Sequence, residues 1–289
     1  MSEKRWTVLE LVGWTANYLK DKGFHNARLN AELLLAGSLG IKRLDLYLQY
    51  DRPLKADELA GFKARLLRRA KREPLQYIDG HAAFRDLTLR VDARVLIPRP
   101  ETEVLVQAVL DWAAGRDALS ALDVGTGSGA IALALATEAE GPFSRVVAVD
   151  VSADALEVAR ANLAEAAPGA PVDLRLGALY DAVSGERFDV VVSNPPYVGD
   201  EERDALDVEV RDWEPAAALF AGTGGLDVIR PLVARAPDHL NAGGLLAMEI
   251  GAAQADAVCD IIRATGAFAE PRVRKDLAGR DRIVLAEMA

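Results

Sequence analysis

The sequence predicts an α/β protein: a doubly wound, mostly parallel sheet preceded by a small all-α bundle. Three observations carry that prediction. The first 75 residues follow helical periodicity throughout, strands and helices alternate beyond the first hundred, and a glycine-rich turn joins one of those strands to the next helix. A chain of 289 residues has room for one large domain and a smaller one.

Taken in order, Thr7 and Glu10 form a capping box ahead of "VLELVGWTANYLKDKG", which ends at Gly23. Val8, Leu11, Val12, Thr15, Tyr18 and Leu19 recur at helical spacing and give it one apolar face. "NARLNAELLLAGSLG" and "ADELAGFKARLLRRAKR" repeat the pattern around "LDLYLQYDRPL", and short connections imply a bundle over 1–74. Residues 75–95 carry alternating Leu87, Leu89 and Val91 with turn residues at Asp79–Gly80, the pattern of a β-hairpin linker. Residues 96–289 form the main domain. Its strands are expected at 120–125, 145–150, 172–177, 188–194 and 244–251, with helices at 101–115, 129–140 and 152–167. Two more strands around Gly279 close the chain.

Composition narrows the function classes. The chain is 51% hydrophobic and 27% charged, as in soluble globular proteins. No secretory leader is visible, and no apolar stretch nears the roughly 20 residues of a membrane span. Cys259 is the only cysteine, so a cytoplasmic location is expected. His25, His81 and His239 lack metal-ligand spacing, and no metal site is expected. The net charge of −10 divides unevenly: residues 1–100 carry 19 Lys/Arg against 12 Asp/Glu, and the remainder carries 15 against 32. An acidic main domain argues against a nucleic-acid groove. The basic run "KARLLRRAKR" (63–72) reads as a solvated helix face or as a docking surface for an acidic partner.

The chemistry concentrates at three strand ends. "LDVGTGSGAIALALA" places Gly125, Gly127 and Gly129, with Thr126 and Ser128 between them, where a backbone can approach a ligand closely. Asp150 ends the next strand, 27 residues after Asp123, where a carboxylate can accept from both hydroxyls of a ribose. A dinucleotide enzyme and a methyltransferase using S-adenosylmethionine would both be built this way. "SNPPYV" (193–198) separates them. Hydride transfer has no use for an Asn-Pro-Pro-aromatic turn, whereas methylation of a planar nitrogen has one. The lone pair of such a nitrogen is delocalised, and two acceptors aimed at its N–H groups hold it and favour pyramidalisation. The side-chain oxygen of Asn194 and the carbonyl of Pro195 are suitable acceptors. Pro195 and Pro196 lack N–H groups and fix φ, which makes the turn rigid. Tyr197 is expected to pack against the planar group, and the NH2 of Asn194 to face the cofactor.

With these residues in place, the sequence resembles the HemK/PrmC family of N5-glutamine methyltransferases that modify peptide chain release factors. The likeness spans nearly the whole chain and rests on "VLIPRPETE" (95–103), "LDVGTGSGAIALALA", "SNPPYV", "WEPAAALFAGTGGLD" (213–227) and "GGLLAMEIG" (243–251). "IPRPETE" discriminates most, because DNA adenine methyltransferases with similar turns lack it.

The resemblance implies a class I methyltransferase fold with an antiparallel last strand and a helical domain that docks the substrate protein. It implies S-adenosyl-L-methionine as donor, S-adenosyl-L-homocysteine as product, and the glutamine of a release factor's Gly-Gly-Gln motif as acceptor. Gly125 to Gly129, Asp150, Leu179 and Asn194 would bind the cofactor, and Asn194 to Tyr197 the glutamine, with Asn194, Pro195 and Tyr197 catalytic. Glu214 and Pro215 would shape the substrate pocket. Relatives often carry Ser-Asp where this chain has Gly177–Ala178. A ribosomal-protein glutamine methyltransferase and an adenine-N6 nucleic-acid methyltransferase are the alternatives. The expected enzyme is a monomer, with no direct nucleic-acid or membrane partner.

Overall fold

Thr7 opens the first helix as its sequence requires. Its hydroxyl accepts from the Glu10 N–H at 3.3 Å, and its own N–H donates to the Glu10 carboxylate at 2.9 Å. Helix α1 (Val8–Asp21) is followed by α2 (Ala27–Leu39), the single turn α3 (Asp45–Leu48), α4 (Ala56–Arg69) and α5 (Leu75–Asp79). Leu19, Leu34, Leu35, Phe62, Leu66 and Ile78 form their shared core. The computed structural model describes residues 5–138 and 143–289. The first four residues of the expected bundle therefore lie outside the described residues.

The linker is shorter than its sequence suggests. Leu75–Asp79 is helical because Tyr77 and Ile78 are buried, and Gly80, at φ +77°, ends that helix with its N–H on the Gln76 carbonyl. The hairpin is β1 (His81–Phe84) paired antiparallel with β2 (Leu87–Arg90). Its turn is Arg85–Asp86 rather than Asp79–Gly80, with Arg85 held at φ +50°.

Beyond the hairpin come α6 (Pro100–Ala113), β3 (Leu119–Val124), α7 (Ala130–Thr137), β4 (Phe143–Asp150), α8 (Ala153–Ala166), β5 (Val172–Leu176) and β6 (Phe188–Ser193). They are followed by α9 (Val208–Trp213), α10 (Ile229–His239), β7 (Leu240–Glu249), α11 (Ala255–Thr265), β8 (Arg272–Lys275) and β9 (Asp281–Glu287). The helix expected over 129–140 ends at Thr137; residues 139 and 140 lie outside the described residues. The seven strands lie in the order β5-β4-β3-β6-β7-β9-β8, and β9 runs antiparallel to both neighbours.

Successive strand residues point to opposite faces, so each buried strand feeds two apolar layers. Val146 and Ala148 of β4 pack with Leu105, Val109 and Leu133 on one face. Val147 and Val149 pack with Leu232, Val258 and Ile262 on the other. A sheet buried on both sides explains why its strands read as apolar runs rather than as alternation.

The chain divides into two compact units: Met1–Gly80 together with α9, and His81–Asp207 together with Glu214–Ala289. That α9 belongs with the helical unit is not visible in the sequence. The tie is Glu209, which accepts from Arg69 at 2.7 Å. Arg69 is 4% exposed, and it also donates to Asn30 and to the Glu73 carbonyl.

Its neighbours in the basic run are committed within the same unit. Arg65 pairs with Asp79, Arg68 with Glu73, and Arg72 lies over the Phe24 ring while donating to the Lys22 carbonyl. Arg68 remains exposed, as a solvated helix face would have it, whereas Arg69 is buried and Arg65 and Arg72 are half-buried. They brace the bundle.

Candidate active site

Strand order reverses between β3 and β6, since β4 lies on one side of β3 and β6 on the other. In an open α/β sheet the carboxyl ends at such a point diverge and leave a crevice. Both motifs singled out above leave the sheet there, the glycine turn after β3 and the Asn-Pro-Pro turn after β6. Between them lies a cavity of about 360 Å³, the size range of small-ligand sites.

The glycines divide by role. Gly125 (φ +77°) and Gly127 (φ +56°) adopt left-handed backbone, and a Cβ on either would meet nothing within 4 Å. Their conformation, not crowding, requires glycine. Gly129 is left-handed as well, at φ +85°, and a Cβ there would meet Leu133 of α7 and Ala159 of α8. Gly125, Thr126 and Ser128 line the cavity.

Asp123 at the end of β3 anchors the loop: one carboxylate oxygen accepts from the Thr126 hydroxyl at 2.7 Å and from the Ala132 N–H at 3.2 Å. The other oxygen is buried without a partner among the described residues. Full burial pushes this carboxyl up to about 7.

Asp150 reaches back from β4, accepting from the Gly127 N–H and from the Ser152 N–H, each at 2.8 Å. It lines the cavity, and a carboxylate offers about four acceptor positions, so two remain for a ligand. Ser152 caps α8 through Ala155 N–H, which leaves Asp150 unneeded for that task. Leu179 also lines the cavity, at φ +50°, a backbone conformation uncommon for a residue with a side chain. At Gly177 a Cβ would sit 2.8 Å from that of Ala182, so the two small residues before Leu179 belong to a tight turn.

Asn194, Pro195 and Pro196 line the cavity opposite the glycine turn. The Asn194 amide nitrogen donates one of its two N–H groups to the Thr102 hydroxyl at 3.0 Å. The carboxamide oxygen and the second N–H remain to serve a ligand. Thr102 in turn donates to Glu249 at 2.7 Å. Tyr197 is not among the cavity-lining residues: its hydroxyl donates to the other oxygen of Glu249 at 3.1 Å. Its ring packs against the apolar layer that holds Met248 and Ile250. Glu249 is 1% exposed, and burial raises its carboxyl despite the Thr102 and Tyr197 hydrogen bonds.

Glu214 is likewise buried. It accepts from Ile97 N–H at 3.2 Å and pairs with Arg99, fastening the segment 97–99 in place, while Pro215 lines the cavity. Burial raises the Glu214 carboxyl even with Arg99 beside it.

Sequence reasoning assigned no role to Thr102 or Glu249. The one signal was Glu249 itself, an acid closing the apolar run "LLAMEI" at a strand's carboxyl end. Among the described residues no group of His, Cys, Asp and Glu could hold a metal, and no helix is long and apolar enough to cross a membrane.

Sheet order, antiparallel β9 and a cavity at the switch point define a class I methyltransferase. A solved methyltransferase from Pyrococcus furiosus shares the fold, with a TM-score of 0.52 at 21% identity, covering 78% of this chain and 96% of that one. Residues 10–80 match the PrmC N-terminal domain, and residues 100–226 the methyltransferase small domain. The chain belongs to the release factor glutamine methyltransferase family. It is 44% identical to the family member of Geobacter sulfurreducens over 98% of both chains, and 42% identical to that of Chlorobaculum tepidum over 97% of both.

Proposed function

We propose that the protein transfers a methyl group from S-adenosyl-L-methionine to the side-chain amide nitrogen of the glutamine in a release factor's Gly-Gly-Gln motif. One observation carries the reading: Asn194 and Pro195 both line the cavity, and the bond from the Asn194 nitrogen to Thr102 leaves the carboxamide oxygen available as an acceptor alongside the Pro195 carbonyl. Two acceptors on a rigid turn suit a primary amide, which has two N–H groups to give. Bound S-adenosylmethionine supplies an electrophilic methyl on a sulfonium centre.

The residues present fit that donor. Gly125 and Gly127 leave open backbone, Asp150 keeps acceptor capacity for ribose hydroxyls, and Leu179 offers an apolar wall to the adenine. Asn194 and Pro195 orient the amide nitrogen and polarise its N–H bonds, so that its delocalised lone pair localises toward the methyl. Methyl transfer leaves the amide nitrogen cationic, and that strongly acidic cation gives its proton to water without a dedicated base. Catalysis rests on positioning and on fixed dipoles. Tyr197 stiffens the turn through its hydrogen bond to Glu249.

The helical unit is assigned to hold the substrate protein. Leu44, Tyr47, Leu48 and Tyr50 are at least half exposed on it, an apolar concentration unusual for a free surface. The names of the relatives support a release factor as that protein. The net of −17 over residues 101–289 disfavours nucleic acid.

The test is mass spectrometry of a release factor incubated with the enzyme and isotopically labelled S-adenosylmethionine. A single labelled methyl on the Gly-Gly-Gln glutamine is expected. Label elsewhere, or none, overturns the reading.

A further inference from the structure

Asn194 could point either way. Its oxygen only accepts and its nitrogen only donates, yet the two ends are nearly the same size, so packing cannot distinguish them. Only the polarity of its neighbour can. That neighbour is Thr102, 4% exposed in the first turn of α6, whose hydroxyl has one proton and can serve either orientation.

The choice is made one step further on. Glu249, the last residue of β7, takes the Thr102 proton at 2.7 Å on one oxygen and the Tyr197 proton at 3.1 Å on the other. With its proton committed to a carboxylate, Thr102 presents only lone pairs to Asn194. The sole atom of Asn194 that can answer is the nitrogen, at 3.0 Å. The Thr102–Glu249 link is buried, so water does not compete there for the Thr102 proton. The partners are 92 and 147 residues apart in sequence, so the chain of bonds exists only in the folded protein.

We propose that Glu249 and Thr102 are positioning residues that fix the flip state of Asn194, so that its oxygen and not its NH2 meets the substrate amide. This rests on the methyl-transfer reading above. If the hydroxyl reversed, the Asn194 oxygen would turn to accept from Thr102, and its NH2 would face a substrate N–H. Donor would meet donor, and the reacting nitrogen would be pushed out of line.

Three variants separate the possibilities, each assayed for turnover on a release factor and for S-adenosylhomocysteine affinity by calorimetry. Thr102→Val keeps the shape and removes the relay, so turnover should fall on the order of tenfold to a hundredfold, with cofactor affinity retained. Thr102→Ser keeps the hydroxyl and should recover most of that loss. Glu249→Gln can offer an N–H to Thr102, releasing its polarity, and should lower turnover with cofactor affinity retained. Asn194→Ala is the control for the underlying reading. If Asn194→Ala is inactive while Thr102→Val turns over like wild type, the relay is wrong and the reading stands. Equal losses in Thr102→Ser and Thr102→Val, or lost cofactor affinity, mark a packing defect and overturn the relay. Wild-type turnover in Asn194→Ala overturns both.

Discussion

Glu32 in the helical unit and Glu249 in the catalytic unit are both buried acids, 3% and 1% exposed. Burial pushes both carboxyls up. Around Glu32 that push is outweighed by hydrogen bonds from Tyr47 at 2.7 Å, Arg28 at 3.0 Å and Arg43 at 2.9 Å, and its carboxyl ends below the usual range. Around Glu249 the contacts are two neutral hydroxyls, the cations stand further off, and the carboxyl stays raised.

A second pair of groups repeats the contrast. Each of the three guanidinium nitrogens of the buried Arg69 donates a hydrogen bond, while Asp123 of the catalytic unit keeps one oxygen without a partner among the described residues. Charge in the helical unit is spent on holding helices together. At the switch point it is left partly unneutralised, where it orients hydroxyls, amides and loop N–H groups instead. Buried ionisable groups whose cations are withheld mark the site more sharply than burial alone.

Four experiments break or sharpen that contrast, the largest effect first. Arg69→Ala should cost the helical unit about 3–5 kcal/mol, because Glu209 and Asn30 lose their buried partner. Denaturant unfolding would read it, and a change within experimental error would show the bundle's ion pairs to be incidental.

Asn194→Ala should leave cofactor affinity little changed while lowering turnover on the order of a hundredfold or more, as deletion of one fixed polar group at a reacting centre does. Steady-state kinetics beside calorimetry separates the two quantities.

Asp150→Ala should weaken S-adenosylhomocysteine binding by about 1.5–3 kcal/mol, the usual worth of hydrogen bonds to a charged group. Unchanged affinity in calorimetry would take Asp150 out of the binding site.

Asp123 gives the smallest effect for each pH unit crossed, and a signed one. Its folded carboxyl titrates near 7, against 3.8 for the ordinary group, so the native state holds a proton that the unfolded chain has lost over that window. Stability contributed by this group is present below about pH 4 and declines by about 1.4 kcal/mol per pH unit as the pH rises toward 7. Asp123→Asn removes the titration, so the variant should gain on wild type between pH 5 and pH 7 in thermal melts. Parallel curves would mean that Asp123 is ionised in the folded protein and that its unpartnered oxygen is stabilised in another way.

The sequence by itself determined the strands of the main sheet, the principal helices up to α8 and the two turns that line the cavity, but not α10 or α11. Those features depend on neighbours within a few residues: apolar runs for strands buried on both faces, Thr7 with Glu10 for a cap, left-handed glycines after β3, and prolines that cannot continue β6. It also identified Asp150 and Asn194, because a polar residue ending a buried strand has few structural reasons to be there. What it left open was direction and company. Tyr197 turned to Glu249 instead of the cavity, the arginines of 63–72 turned into the bundle, and α9 joined the helical unit through Glu209. Only the tertiary structure decided these, since a side chain's orientation is set by the partner that satisfies its polar atom. For Tyr197 and Glu249 the partner lies 52 residues away, and for Arg69 and Glu209 it lies 140 away. Local periodicity carries no trace of a partner at that distance.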